Sequence, residues 1–511
     1  MRHASNCEVS GPALTDPVRV TEIPASPSNC GLGGSAVWNS FTTEKLRTQI
    51  RDTKVAIDAQ VRLEVGSFSH ESTRLPESQE LASCGLVSLR RSISLMCDMG
   101  GLSIFVAVLL ALCGSVAAQA DEPKRIEITD FVPYGREPVE YFAAKTNDAV
   151  SRLQERLQSG TVKLTADSSR GYLKSLLAEL RIPTSSQLLV FSKTARNPDL
   201  IGPKHPRAIY FNDEVTVGWV PGALELELTA SDPEKGITFY TLAQPTKDAP
   251  STELQFHRKD QCLACHAGRS TFEVPGLLLR AFQTDASGKP VMGYSVMNQD
   301  SPYEKRWGGW FVVGTPPGFD HRGNLIGNED NELDRDEPGF RASRRNLNDL
   351  ERLNEYATDT SDIIAHLVLA HQTHGLNLIA RVGLEARFHR RSDAEEKLVR
   401  CLVFADEPRL PRPLDAATIS KSEYRAWFES QRPTAGAGRS LRQFDLQTRV
   451  FKHRLSYLIE HPMFVGLPAD CRARLFARLR AGFSSQPAAP GFDHLSEAER
   501  STLHEIVKSM D

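Results

Sequence analysis

Between residues 187 and 313 the apolar positions recur in short runs at a spacing of two, and beyond residue 337 they recur at three and four. The first pattern belongs to strands, the second to amphipathic helices. Segments 187–192, 208–211, 215–220, 224–229 and 236–242 are rich in β-branched and aromatic residues and are punctuated by Pro, Gly and Asn-Asp breaks, so strands are expected there. Further strands are expected at 277–283, 291–296 and 310–313, with hairpin turns at 232–236 and 285–288. Ahead of them, 147–157 and 168–180 have helical composition, the first with Asn147 as N-cap. In the second half helices are expected at 341–356, 362–390, 421–431, 446–460, 469–481 and 496–508, the last opened by a Ser496/Glu499 capping box. Residues 431–440, rich in Gly, Ala and Pro, read as a loop. The expected fold is α+β, with a β-rich region at 121–336 packed on a helical region at 337–511.

A third kind of pattern precedes both. Residues 101–118 are almost wholly apolar and run into Ala118-Gln119-Ala120, a small-x-small cleavage site, with Arg90 and Arg91 as the positive flank. Residues 96–120 therefore read as a signal peptide. Residues 1–95 have irregular composition and no sustained period, and are expected to be a non-native or disordered extension, with translation starting near Met96, Met99 or just before Arg90. The alternative is a membrane anchor, since 18 apolar residues marginally span a bilayer. The cleavage site, in place of a basic stop-transfer flank, favours export.

The whole chain has 61 Lys+Arg against 64 Asp+Glu; residues 1–120 hold 10 and 11 of these, leaving 51 against 53. That balance gives no indication of a nucleic-acid partner. Four cysteines follow the leader, and two of them stand in Cys262-Leu263-Ala264-Cys265-His266. Cys-x-x-Cys-His is the attachment signature of a c-type haem. Two thiols one tight turn apart reach the two vinyl groups of one porphyrin, and the adjacent imidazole of His266 is delivered to the iron as proximal ligand. The competing readings are a redox-active Cys pair, which belongs in a βαβ unit, and half of a zinc site, which needs a second ligand pair. One covalently bound haem c per chain is expected, held by Cys262, Cys265 and His266. Cys401 and Cys471 have apolar neighbours and either pair with one another or stay as buried thiols.

The sixth iron position decides between electron transfer and small-molecule chemistry. His371 falls on an apolar stripe of the 362–390 helix with Leu367, Val368 and Gly375, and is a candidate distal ligand; His374 lies nearly one turn on. The plainer reading of such a residue is a buried, hydrogen-bonded histidine. His321, 55 residues after His266, is a second candidate, against a solvent-exposed loop residue. Met292, Met297 and Met463 are further possibilities. Trp307-Gly308-Gly309-Trp310 places two indoles for either core packing or the porphyrin edge. Arg269 and Arg280 are candidate propionate partners, set against ordinary ion pairs. The acidic run 328–337 fails the calcium-loop pattern, because Arg345 stands where a bidentate Glu is required, and reads as a solvated loop.

The strings His205 to Asp213, Val217-Gly218-Trp219-Val220, Val274-Pro275-Gly276-Leu277, Arg306 to Trp310 and His371-Gln372-Thr373, together with the haem motif, resemble a family of secreted mono-haem cytochrome c-like proteins of environmental bacteria, uncharacterised in activity. The similarity runs from about Ser168 to the C-terminus. It implies a cytochrome c-like domain, a periplasmic or secreted location, and haem at Cys262, Cys265 and His266. It implies no substrate and no named redox partner. Where that family commonly has Met this chain has Arg322, and where it has a further His this chain has Leu376. His321 or His371 would then serve as distal ligand, or the site would be open. The function expected is an extracytoplasmic mono-haem cytochrome transferring electrons. The alternatives are a haem oxidoreductase of peroxidase or oxygenase type, and a haem-based binding or sensor module.

Overall fold

The computed structural model describes residues 131–245, 254–327, 343–344, 347, 350, 353–431 and 440–510. Residues 96–120, read above as a signal peptide, the preceding extension, the acidic run and most of the 431–440 loop lie outside them. Two short helices, α1 (Ala149–Gln158) and α2 (Leu173–Glu179), lead into a six-stranded antiparallel meander: β1 (Leu188–Val190), β2 (Arg207–Phe211), β3 (Val215–Trp219), β4 (Glu225–Asp232), β5 (Gly236–Ala243) and β6 (Phe256–Arg258). Two-residue alternation sends its side chains to opposite faces. One face, with Tyr210, Val217, Leu228 and Leu242, packs with α1 and α2. The other, with Val190, Phe211 and Phe239, joins the larger core formed with the second half of the chain.

The expected turns form where expected. Asp232 Oδ1 accepts hydrogen bonds from the Glu234 and Lys235 amides, and Gly236, at φ 84°, takes the left-handed conformation that the hairpin needs. After the sheet comes a single helical turn, α3 (Leu263–His266), then the hairpin β7 (Arg280–Thr284) and β8 (Pro290–Val296). A two-residue strand, β9 (Leu325–Ile326), pairs with β10 (Ser343–Arg344).

The second half is built on α4 (Ile363–Arg387), capped by Asp362, whose side chain accepts from the Ile364 amide. Around it lie α5 (Ala394–Leu402), α6 (Ala416–Lys421), α7 (Glu423–Ser430), α8 (Pro462–Val465), α9 (Ala469–Ser484) and α10 (Glu497–Lys508). The Ser496/Glu499 capping box has both of its bonds. Helix α4 is buried on all sides over 22 of its 25 residues, so it is the spine of the fold rather than an amphipathic cover. The molecule is α+β, as expected, with the Cys-x-x-Cys-His turn between the sheet and the helical half.

Four expectations change. The N-cap of α1 is Asp148, paired reciprocally with Ser151, not Asn147. Within the expected helix at 341–356 the described residues form β10 and a 3-10 turn at Leu353–Glu355, so pairing with β9 carries the sheet region past residue 336. The expected helix at 446–460 is a tight turn followed by a 3-10 segment, Tyr457–Glu460. There Asp445 captures the Thr448 and Arg449 amides, Leu446 sits at φ 55°, and Phe444 bridges Phe451, so side-chain capture and aromatic packing override helical spacing. Helices α5 and α6 appear where none was expected.

Candidate functional site

Strand β6 delivers the chain to α3 at the edge of the sheet, and this places Cys262, Cys265 and His266 on the wall of a cavity of about 450 Å³. That size suits a small-molecule or cofactor site. The floor is the inward face of the sheet, with Ile209, Gly218, Glu227 and Thr241, which are cross-strand neighbours in register. Leu277 to Arg280 and Trp310 form another wall, and α4 contributes Leu369 and Thr373.

His266 is oriented by its own loop. Its Nδ1 lies 3.0 Å from the Gly276 carbonyl, which can only accept, so Nδ1 carries the proton and Nε2 keeps its lone pair. The Gly276 amide bonds back to the His266 carbonyl at 2.8 Å. Helix α4 clamps this loop: Asn377 Oδ1 accepts from the Leu277 amide at 2.7 Å, and its Nδ2 donates to the Leu277 carbonyl at 2.8 Å. A Cβ at Gly276 would come within 2.6 Å of Asn377 Oδ1, so only glycine permits this approach. The Phe239 ring meets the imidazole edge-on at 4.9 Å. Burial, with the Arg280 and Arg207 charges, holds the His266 pKa below its ordinary value against the opposing Gly276 bond. A neutral imidazole with a carbonyl behind one nitrogen and a free lone pair on the other is the form that ligates a metal.

The four cysteines among the described residues are free thiols, Cys265 exposed and Cys262 half-buried. The redox-pair reading fits poorly. The motif follows an antiparallel strand rather than opening the helix of a βαβ unit, and burial raises the Cys262 pKa, which disfavours a reactive thiolate. Zinc fits no better: no group of three or more His, Cys, Asp or Glu able to hold a metal occurs among the described residues. A c-type haem does fit. Both thiols face one cavity, the adjacent imidazole is ligand-ready, and three buried polar atoms on the lining have no partner, namely Arg207 Nε, Arg280 Nε and Thr373 Oγ1.

The candidate distal ligands are elsewhere. Neither His371 nor His321 lines the cavity, and neither do Met297 and Met463. The reason is helical geometry. Leu369 and Thr373 face the cavity four residues apart, and His371, two residues from each, is turned about 200° away. Its Nδ1 donates to Gln299 Oε1, its Nε2 accepts from Ser456 Oγ at 2.6 Å, and its ring packs on Phe404 at 4.7 Å. The hydrogen-bonded core reading is the one realised. His321 is buried rather than solvent-exposed, with Nδ1 accepting from the Gly323 amide and its ring against Trp307. His374 pairs with Asp300 at 3.5 Å.

The Trp pair divides. Trp310 lines the cavity and donates from Nε1 to the Arg280 carbonyl, whereas Trp307 is fully buried against Phe319 and His321. Of the two arginines singled out, Arg280 lines the cavity and Arg269 is exposed away from it. Sequence reasoning missed Arg207, Arg196 and Glu227. For Arg207 and Glu227 the one available signal was the alternation along β2 and β4, which placed charged residues at inward positions; Arg196 lies in the loop between β1 and β2 and had no such signal.

No helix among the described residues is long and apolar enough to cross a membrane. Comparison with protein-family models, with curated proteins and with solved structures gives no match to this chain.

Proposed function

We propose that this protein is an extracytoplasmic mono-haem c-type cytochrome that acts in electron transfer, with Cys262 and Cys265 as thioether anchors and His266 as proximal ligand. One observation carries the reading: both thiols and the His266 imidazole, its Nδ1 bonded to Gly276, share the wall of one cavity of about 450 Å³. The resemblance to secreted mono-haem cytochrome c-like proteins and the apolar stretch at 101–118 support an exported location. When bound, the haem supplies a one-electron iron couple. The chain would add the two S–H groups across two vinyl bonds, hold the imidazole in one tautomer through Gly276, and exclude water with Phe239, Leu277 and Trp310.

The test is maturation with a c-type haem assembly system followed by denaturing electrophoresis and haem staining. Wild type should keep its haem and the Cys262→Ala/Cys265→Ala variant should lose it. Haem surviving denaturation in the double variant would overturn the assignment.

A second reading, a haem oxidoreductase of peroxidase or oxygenase type or a gas-binding sensor, is favoured by one observation: the cavity lining contains no second His and no Met among the described residues. Carbon monoxide added to the reduced protein separates the two. Low-spin bands that do not move support electron transfer with two strong axial ligands; rapid binding to a high-spin site supports the second reading.

A further inference from the structure

We propose that Arg207 and Arg280 form a two-carboxylate subsite in this cavity and receive the two propionates of the haem, an inference that rests on the haem reading above. The charged side chains on the lining are Arg196, Arg207, Arg280 and Glu227, a net charge of +2 among the described residues. Glu227 is shared. It pairs with Arg207 Nη2 at 2.6 Å and lies 3.8 Å from Arg196 Nε, while Arg196 also reaches Glu225 at 3.4 Å. Two guanidinium groups keep buried nitrogens without partners, Arg207 Nε and Arg280 Nε. An unpaired buried donor on a cation is costly, and a carboxylate offers the paired acceptors that match a guanidinium fork. Two forks and two positive charges in excess match one dicarboxylate porphyrin.

Both arginines are held for this role. The Arg207 guanidinium lies over Gly218, where a Cβ would stand within 2.8 Å of its central carbon, and Glu227 fixes it from the neighbouring strand. Arg280 stacks on the Tyr294 ring, its guanidinium carbon 4.2 Å from the centroid, and its carbonyl accepts the Trp310 indole N–H. Neither contact uses the orphaned nitrogens. Glu227 thus acts as a positioning residue for Arg207.

The experiment compares matured wild type with Arg207→Gln, Arg280→Gln and the exposed control Arg269→Gln, reading covalent haem on denaturing gels and the reduction potential from pH 5 to 9. The Arg207 and Arg280 variants should keep covalent haem. Their potentials should fall below wild type, because a positive charge beside the oxidised site is gone, and a pH-dependent segment should appear as a released propionate titrates. Arg269→Gln should superimpose on wild type. If Arg207→Gln yields no folded protein, Gly218→Ala replaces it: its methyl displaces the fork without removing charge, so the pH-dependent segment of a released propionate should still appear. Potentials and pH profiles that match wild type in haem-loaded Arg207 and Arg280 variants, or that shift equally with Arg269→Gln, overturn the subsite and leave the haem reading standing. Wild type without covalent haem overturns the haem reading itself.

Discussion

The two sides of α4 use the same chemistry to opposite ends. On one side Cys262, Cys265 and His266 surround an open volume in which Arg207, Arg280 and Thr373 leave polar atoms unpaired. On the other, Cys401 and His371 are packed solid. Both His371 nitrogens are bonded, Cys401 Sγ lies 3.5 Å from Gln299 Oε1, and Phe404, Phe451 and Tyr457 enclose the ring. Buried histidine and cysteine therefore identify nothing alone. A void, a lone pair kept free and cations without partners together distinguish a site from a core.

Two fully buried imidazoles of α4 should dominate the response to acid: His371 on the packed side, and His366, which shares a face with Thr373 and lies against Trp310 and the Phe311 carbonyl. Burial drives the pKa of His366 and of His371 from 6.5 to about 3, so both rings are neutral in the folded state. An unfolded chain binds their protons at about 6.5 and the folded chain does not. Stability should thus be fully present above that value and fall as pH drops toward 3, by on the order of 3 kcal/mol for each ring. Urea midpoints at pH 7.5 and pH 4.5 measure it, and equal midpoints would show that these imidazoles are not buried neutral.

Truncation should separate the sides next. His371→Ala leaves Gln299 Oε1 with only the weak Cys401 thiol donor, removes the acceptor of the Ser456 hydroxyl and opens a hole among three aromatic rings, and should cost about 3 kcal/mol at pH 7.5 while covalent haem attachment persists. His266→Ala should shift the urea midpoint of the haem-free protein far less, yet abolish the axial imidazole signature in the optical spectrum. If His371→Ala altered the haem spectrum as strongly as His266→Ala, the two sides would not be separate.

Glu460 refines the criterion, because it has an orphaned buried oxygen but does not line the cavity. Burial, aided by Asp213 and opposed by Arg442, raises its pKa to about 7. The folded state binds the proton more tightly than the unfolded one, so this group's contribution is present below about 4.5 and is lost as pH rises through 7. Glu460→Gln should stabilise the protein at pH 8 by on the order of 1 kcal/mol, after allowance for partial solvent screening, and leave it unchanged at pH 4.5. A gain of the same size at both pH values would assign the effect to packing rather than charge.

How much of this was legible in the residues depended on whether a neighbour in sequence or one in space set the outcome. The Asp232–Gly236 turn and the Ser496 cap are local, so spacing alone announced them, and the Cys-x-x-Cys-His string is likewise read from neighbours in sequence. The 446–460 segment was not legible, because Asp445 and the Phe444–Phe451 contact redirect a chain whose apolar spacing suited a helix. The stripe through His371 was seen correctly, but in a helix buried on every side a stripe does not say which side holds the cavity. Arg207, Gly218 and Glu227 sit on three different strands, and only the register of the sheet brings them together.

The Trp307/Trp310 pair gives the smallest contrast, within one four-residue stretch. Gly308 and Gly309 let the chain pass tightly against Phe282 and Ser192, and the two indoles diverge. Trp307 has no partner for Nε1 and holds its place by packing alone, so Trp307→Phe should cost about 2 kcal/mol through the space it vacates and should leave the haem potential unmoved. Trp310→Phe removes one hydrogen bond to the Arg280 carbonyl and should cost only about 1 kcal/mol. The smaller loss should be the one felt at the cavity, because that bond fixes the strand from which Arg280 projects. Thermal unfolding combined with redox titration of the two variants would show it. A potential shift in Trp307→Phe with none in Trp310→Phe would reverse the assignment of the two indoles to core and site.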